Sequence, residues 1–161
     1  MANTNLMEEI KQKAIERKKT IVLPESHDER IIKAASVIVE LGIANVITIG
    51  NEEKIRNDAA NFNVGIQGLR IFDPEKSELT SNFANTFFNL RKHKGITIEQ
   101  ARETIKKDLF FGAMLVKEGM ADGSVAGSTA ATGDVLRAAF QCVGMPEGIS
   151  IVSSFFLMIF P

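Results

Sequence analysis

Residues 20 to 53 set out strand, stop, helix, strand and helix in an order that leaves few folds open. Thr20 to Leu23 is a short β-branched run halted by Pro24. Ile31, Ile32, Ala35, Ile38 and Val39 then recur at helical spacing, and Gly42 stands just past the helix end. Asn45 to Ile49 is a second strand closed by Gly50, and Asn51 is placed to cap a helix whose first turn holds Glu52 and Glu53. This alternation is the grammar of a parallel sheet covered by helices. It predicts an α/β fold, a three-layer parallel or mixed sheet with helices on both faces.

The punctuation continues along the chain. Asn5 with Glu8 reads as a capping box for a helix carrying Leu6, Ile10, Ala14 and Ile15 inward. Leu69 to Phe72 is a third strand, and Glu78 to His93 a helix with Leu79, Phe83, Phe87 and Leu90 on one buried stripe. Thr97 and Gln100 form a second capping box for a helix through Lys106, and Asp108 is expected to cap an apolar helix over Leu109 to Lys117. Ser124 to Ala126 is a strand ending at Gly127, followed by a helix that opens near Thr132 to Asp134 and runs to about Cys142. Gly144, Pro146 and Gly148 mark the one candidate boundary. Ile149 to Ile159 is near-continuously apolar, the pattern of a strand buried on both faces. Such a strand needs covering neighbours, so the chain is expected to be truncated, the front part of a longer protein, or to require a partner.

Composition limits the function. A net charge of −1 over 161 residues gives no electrostatic footprint for nucleic acid or an anionic membrane, so neither is expected as a partner. The apolar run Phe155 to Phe160 is too short to span a bilayer, the N-terminus lacks a signal-peptide core, and Cys142 is the single cysteine. A cytoplasmic protein without an internal disulfide is expected, with Cys142 a buried small hydrophobe.

The stretch from Gly119 to Arg137 carries the strongest functional pattern. A strand, a loop of small and hydroxyl residues including Ser128, Thr129 and Thr132, and a helix start at Asp134 together describe an anion cradle. Arg137 lies one turn in and is able to grip a phosphate. An ordinary βα turn capped by Thr132 or Asp134 explains the same residues. Arg91-Lys92-His93-Lys94 ends a helix, where cations complement the dipole, yet the run exceeds what a C-cap needs. Lys11 to Lys19 reads as a solvated face. His27 beside Asp28 and Glu29 invites a metal, but capping accounts for the carboxylates and no second histidine is near, so no metal is assigned.

Longer motifs connect these residues. Ile21-Val22-Leu23-Pro24-Glu25 with Asp28-Glu29-Arg30, Leu90-Arg91-Lys92-His93-Lys94-Gly95-Ile96, and Phe111-Gly112-Ala113-Met114-Leu115-Val116-Lys117 with Ala121-Asp122-Gly123 resemble the phosphate acetyl/butyryltransferases. So do Thr132 with Asp134-Val135-Leu136-Arg137, and Val152 to Met158. The resemblance implies reversible conversion of acetyl-CoA and phosphate to acetyl phosphate and CoA, with phosphate butyryltransferase or a non-catalytic CoA- or acyl-phosphate-binding fragment as alternatives. It also implies a two-domain fold like the isocitrate and isopropylmalate dehydrogenases, with an α/β domain over 1–146 and the first strand of a second domain over 147–161, an interdomain active site and a homodimer. CoA is then a substrate, with no separate cofactor. The motifs place substrate-binding roles on Arg91 and Arg137, with Ser128, Thr129, Thr132 and Asp134 in the loop between. The family's base and carbonyl-binding residues fall beyond position 161, so no catalytic residue is assigned, and this chain alone is expected to be inactive. Many members carry a histidine and a threonine in this loop, where Ala130 and Ala131 stand here. A dehydrogenase on the related fold is disfavoured because the loop lacks a G-x-G-x-x-G arrangement.

Overall fold

The computed structural model describes residues 3–149, 151–154 and 156–158. Helix α1 spans Asn3–Arg17, followed by strand β1 (Thr20–Leu23), α2 (Glu29–Glu40), β2 (Asn45–Ile49), α3 (Glu52–Asn61), β3 (Arg70–Phe72) and α4 (Leu79–Arg91). A 3₁₀ turn over Lys92–Lys94 leads into α5 (Ile98–Ile105), α6 (Asp108–Lys117), β4 (Gly123–Ser124) and α7 (Thr132–Cys142).

All four strands run parallel, in the order β3-β2-β1-β4. Val46 pairs with Ile21, and Gly123 faces the same residue from the other side. The Asp122 carboxylate fixes this second junction, accepting from the Thr20 amide at 2.8 Å and pairing with Lys19 at 2.6 Å. Alternation along the strands sorts side chains into two cores. Val22, Ile47 and Ile49 pack with Phe83, Phe87, Phe111 and Met114 of α4 and α6. Leu23 and Val46 pack on the opposite face with Ala35, Ile38 and Val39 of α2. The sheet is thus the middle of three layers, and it is parallel throughout.

The first core is centred on α6. Phe111, Met114 and Leu115 are fully buried. Gly112 lets this helix approach the sheet, because a Cβ there would lie 3.1 Å from Val22 Cγ1. That approach carries the N-terminus of α6 to the carboxyl ends of β1 and β2.

Local signals place most helix starts. Asp28, Asn51 and Thr97 cap α2, α3 and α5 through their side chains, and Gln100 completes the Thr97 box. Three capping expectations are corrected. Asn5 lies inside α1, which already begins at Asn3. Asp108 is the first residue of α6, after Lys107 as cap, and Ala131 rather than Thr132 or Asp134 precedes α7; neither cap residue makes a side-chain capping hydrogen bond.

The expected strand at 149–159 is also corrected. Its described residues adopt no regular secondary structure, and Ile151 and Phe156 are 78% and 91% exposed. The apolar pattern records a preference for burial, but a strand forms only against a neighbouring edge. None of the four strands pairs with the described residues of this segment.

Candidate functional site

The order β3-β2-β1-β4 puts a topological switch point between β1 and β4, because the chain runs from β1 outward through β2 to β3 and then crosses back to place β4 on the other side of β1. In such sheets the loops at the carboxyl ends of the two strands diverge and leave a crevice. Here those loops are residues 24–28 after β1 and 125–131 after β4.

The two loops are joined by a buried carboxylate. Glu25 is 2% exposed. Its Oε2 accepts from the amides of Gly127 at 2.6 Å and Ser128 at 2.8 Å. Its Oε1 accepts from the amides of Thr129 at 2.8 Å and Ala130 at 2.7 Å, and from the Thr129 hydroxyl at 2.9 Å. Gly127 begins this concave row of N–H groups with φ +106°, a conformation most residues avoid. Burial alone would push the Glu25 carboxyl up, but the amides of Thr129, Ala130, Ser128 and Gly127 outweigh it and hold the group at about 2.

Asp28 makes a second tie. It accepts from the Ser128 hydroxyl and from Arg30 Nη2 at 2.6 Å, while Arg30 Nη2 also reaches the Ser128 carbonyl at 3.0 Å. The Arg30 hydrogen bonds, then that of Ser128, hold the Asp28 carboxyl well below the usual range. Within the 127–134 loop read from the sequence as an anion cradle, the stretch from Gly127 to Ala130 is internally filled. Its amides face Glu25, a residue of the chain itself, and the Ser128 hydroxyl is engaged by Asp28.

A cavity of about 380 Å³ opens beside this junction. Glu25 and His27 line it from the first loop, Lys107 to Phe110 from the start of α6, and Thr129, Ala130, Asp134 and Arg137 from the second loop and α7. Arg137 pairs with Asp134 at 3.1 Å, both exposed. His27 Nε2 lies 2.9 Å from Thr129 Oγ1. Asp108 is pushed up to about 6, chiefly by burial, with the charge of His27 opposing and that of Asp73 adding. Lys107 and Arg137 are the cationic side chains lining the cavity. Together they can hold an anion of phosphate size while acidic groups handle protons beside it. Among the described residues, no group of three or more His, Cys, Asp or Glu side chains is placed to hold a metal.

Of the residues singled out from sequence, Thr129, Asp134 and Arg137 meet in this cavity. Ser128 and Thr132 are not among its lining, nor is Arg91, which ends α4 near enough to Cys142 for its charge to bear on that thiol. Burial pushes the Cys142 thiol up to about 12, and its Sγ contacts the Phe110 carbonyl. Sequence reading missed Glu25, Lys107 and Asp108. For Glu25 a signal existed: an acid immediately after the proline that stops the first strand, at the end of the sheet where the small-residue loop also opens.

Comparisons with known proteins place the chain in a family. The family model described as Phosphate acetyl/butaryl transferase matches residues 5–161. The chain belongs to that family. It is 48% identical over 157 residues to Phosphate acetyltransferase of Thermoanaerobacterium thermosaccharolyticum, covering 98% of this chain and 47% of that protein. The corresponding protein of Bacillus subtilis is 36% identical over 154 residues, again with 47% of its length covered. Among solved structures, a phosphotransacetylase from Streptococcus pyogenes superposes with a TM-score of 0.87 at 32% identity, covering 94% of this chain and 46% of that one. EutD phosphotransacetylase from Staphylococcus aureus gives 0.84 at 35% identity. The chain spans about half the length of the curated relatives it matches.

Proposed function

We propose that this chain forms one wall of an acyl-transfer site that interconverts acetyl-CoA and phosphate with acetyl phosphate and CoA. The observation that supports the reading is the switch-point cavity, lined by Lys107 and Arg137, while the amides of Gly127 to Ala130 are consumed by Glu25. Phosphate is then held by side-chain cations, not by the main-chain cradle. A guanidinium fork binds two phosphate oxygens and leaves a third free to attack the thioester carbonyl. The C–S bond breaks as the O–C bond forms, and the departing thiolate takes up a proton. In reverse, a CoA thiol of ordinary pKa about 8.5 must lose one.

Arg91, assigned by resemblance and lying outside the cavity, is proposed for the CoA-bearing side. Thr129 and Asp134 line the phosphate side. Ser128 and Thr132 serve by shaping the loop. Names and lengths of the relatives support assigning the complete reaction to proteins of about twice this span. No helix among the described residues is long and apolar enough to cross a membrane. A cytoplasmic location is proposed on the composition and a homodimer on the resemblance, and the exposed Ile151, Phe156 and Met158 support burial against further protein.

The test follows CoA release from acetyl-CoA by a protein of family length carrying this chain. Release should saturate with phosphate, and Arg137→Ala should lower kcat/KM by about 2–3 kcal/mol, the loss of a charged hydrogen bond. Unchanged kinetics in that variant remove Arg137 from the site. Turnover of butyryl-CoA alone places the protein with the butyryltransferases, and binding without turnover makes the chain a ligand-binding module.

A further inference from the structure

Proton accounting at Thr129 settles the state of a histidine that the acyl-transfer reading leaves unused. Thr129 Oγ1 lies 2.9 Å from both Glu25 Oε1 and His27 Nε2, and a hydroxyl has one hydrogen to give. Glu25, held by four amides, is an ionised acceptor. The Thr129 hydrogen therefore points to Glu25, and its lone pair faces Nε2, which must carry a hydrogen. The second ring nitrogen, Nδ1, has no hydrogen-bond partner among the described residues, and His27 lines the cavity with Lys107 and Arg137.

We propose that His27 is a substrate-contacting residue whose Nδ1 bonds a phosphate oxygen, with Glu25 and Thr129 as positioning residues that pin its Nε2–H. This rests on phosphate being the ligand of the cavity. Monohydrogen phosphate presents both a P–OH and bare oxygens. A neutral Nδ1 accepts from the first, and a protonated one donates to the second. The charged groups lining the cavity around His27 are Glu25 on its own loop, Lys107 and Asp108 on α6, and Asp134 and Arg137 on α7.

The chain carries only two histidines, and exposed His93 serves as an internal reference. Nitrogen NMR of the chain labelled with ¹⁵N in histidine and arginine, with and without inorganic phosphate, tests the proposal. Above neutral pH, His27 should be biased toward the Nε2–H tautomer more strongly than His93. Thr129→Val should bring it to the His93 ratio, and Thr129→Ser, which keeps the hydroxyl, should retain the bias. Inorganic phosphate should move the His27 Nδ1 resonance and leave His93 in place. A His27 ratio equal to that of His93, or one indifferent to Thr129→Val, overturns the pinning. A pinned His27 whose Nδ1 ignores phosphate, while Arg137 resonances respond, overturns the contact. Absence of acetyl transfer in the family-length protein, by contrast, overturns the activity and leaves the tautomer result standing.

Discussion

Five donors converge on the Glu25 carboxylate, and four of them are backbone N–H groups of one loop. With the folded group at about 2 against an ordinary 4.5, the unfolded chain binds this proton more readily. Its contribution is therefore complete above about pH 4.5 and is lost as pH falls toward 2. The linkage amounts to at most about 3 kcal/mol. Glu25→Gln turns an amide NH₂ toward N–H donors and should cost about 2 kcal/mol at pH 7. Urea unfolding from pH 7 to 2 should show the wild type losing its advantage over the variant below about pH 4.5. Asp108 has the opposite sign. Its carboxyl is raised from 3.8 to about 6, so stability is complete below 3.8 and is lost as pH rises through 6. Allowing for partial exposure, Asp108→Asn should be about 1 kcal/mol more stable than wild type at pH 8, with the gap closing by pH 3.

At the scale of elements, α6 serves both the core and the cavity. Phe111 is fully buried, its ring 5.1 Å from Phe83 and 6.1 Å from Phe72. Phe111→Ala should cost about 3–5 kcal/mol in denaturant unfolding, since the stacked helices around it can collapse only in part. β1 and β2 were legible to the residue, because β-branched runs bounded by proline and glycine are local signals. The caps at Asp28, Asn51 and Thr97 were legible for the same reason. Ala131 and Lys107 were not, because nothing in their side chains announces a cap. The apolar run after Gly148 misled, since its pattern encodes burial without encoding the edge it would pair with.

Across the whole molecule, the deciding contacts join residues about a hundred positions apart. β1 pairs with β4 through Ile21 and Gly123, and Glu25 meets Gly127 to Ala130. No local pattern reports such pairings, so the small-residue loop was legible as an anion cradle while the identity of its anion was not. The fold class came from alternation of elements; the site came from the order of the strands. The central claim is that Glu25 fills the main-chain cradle and leaves phosphate to the cations across the cavity. Titrating the ¹⁵N-labelled chain with inorganic phosphate tests it directly by amide and guanidinium NMR. The account expects the Arg137 side-chain resonances to shift while the amides of Gly127 to Ala130 hold their positions. Large shifts of those four amides, with Arg137 unmoved, would show phosphate displacing Glu25 and would contradict it.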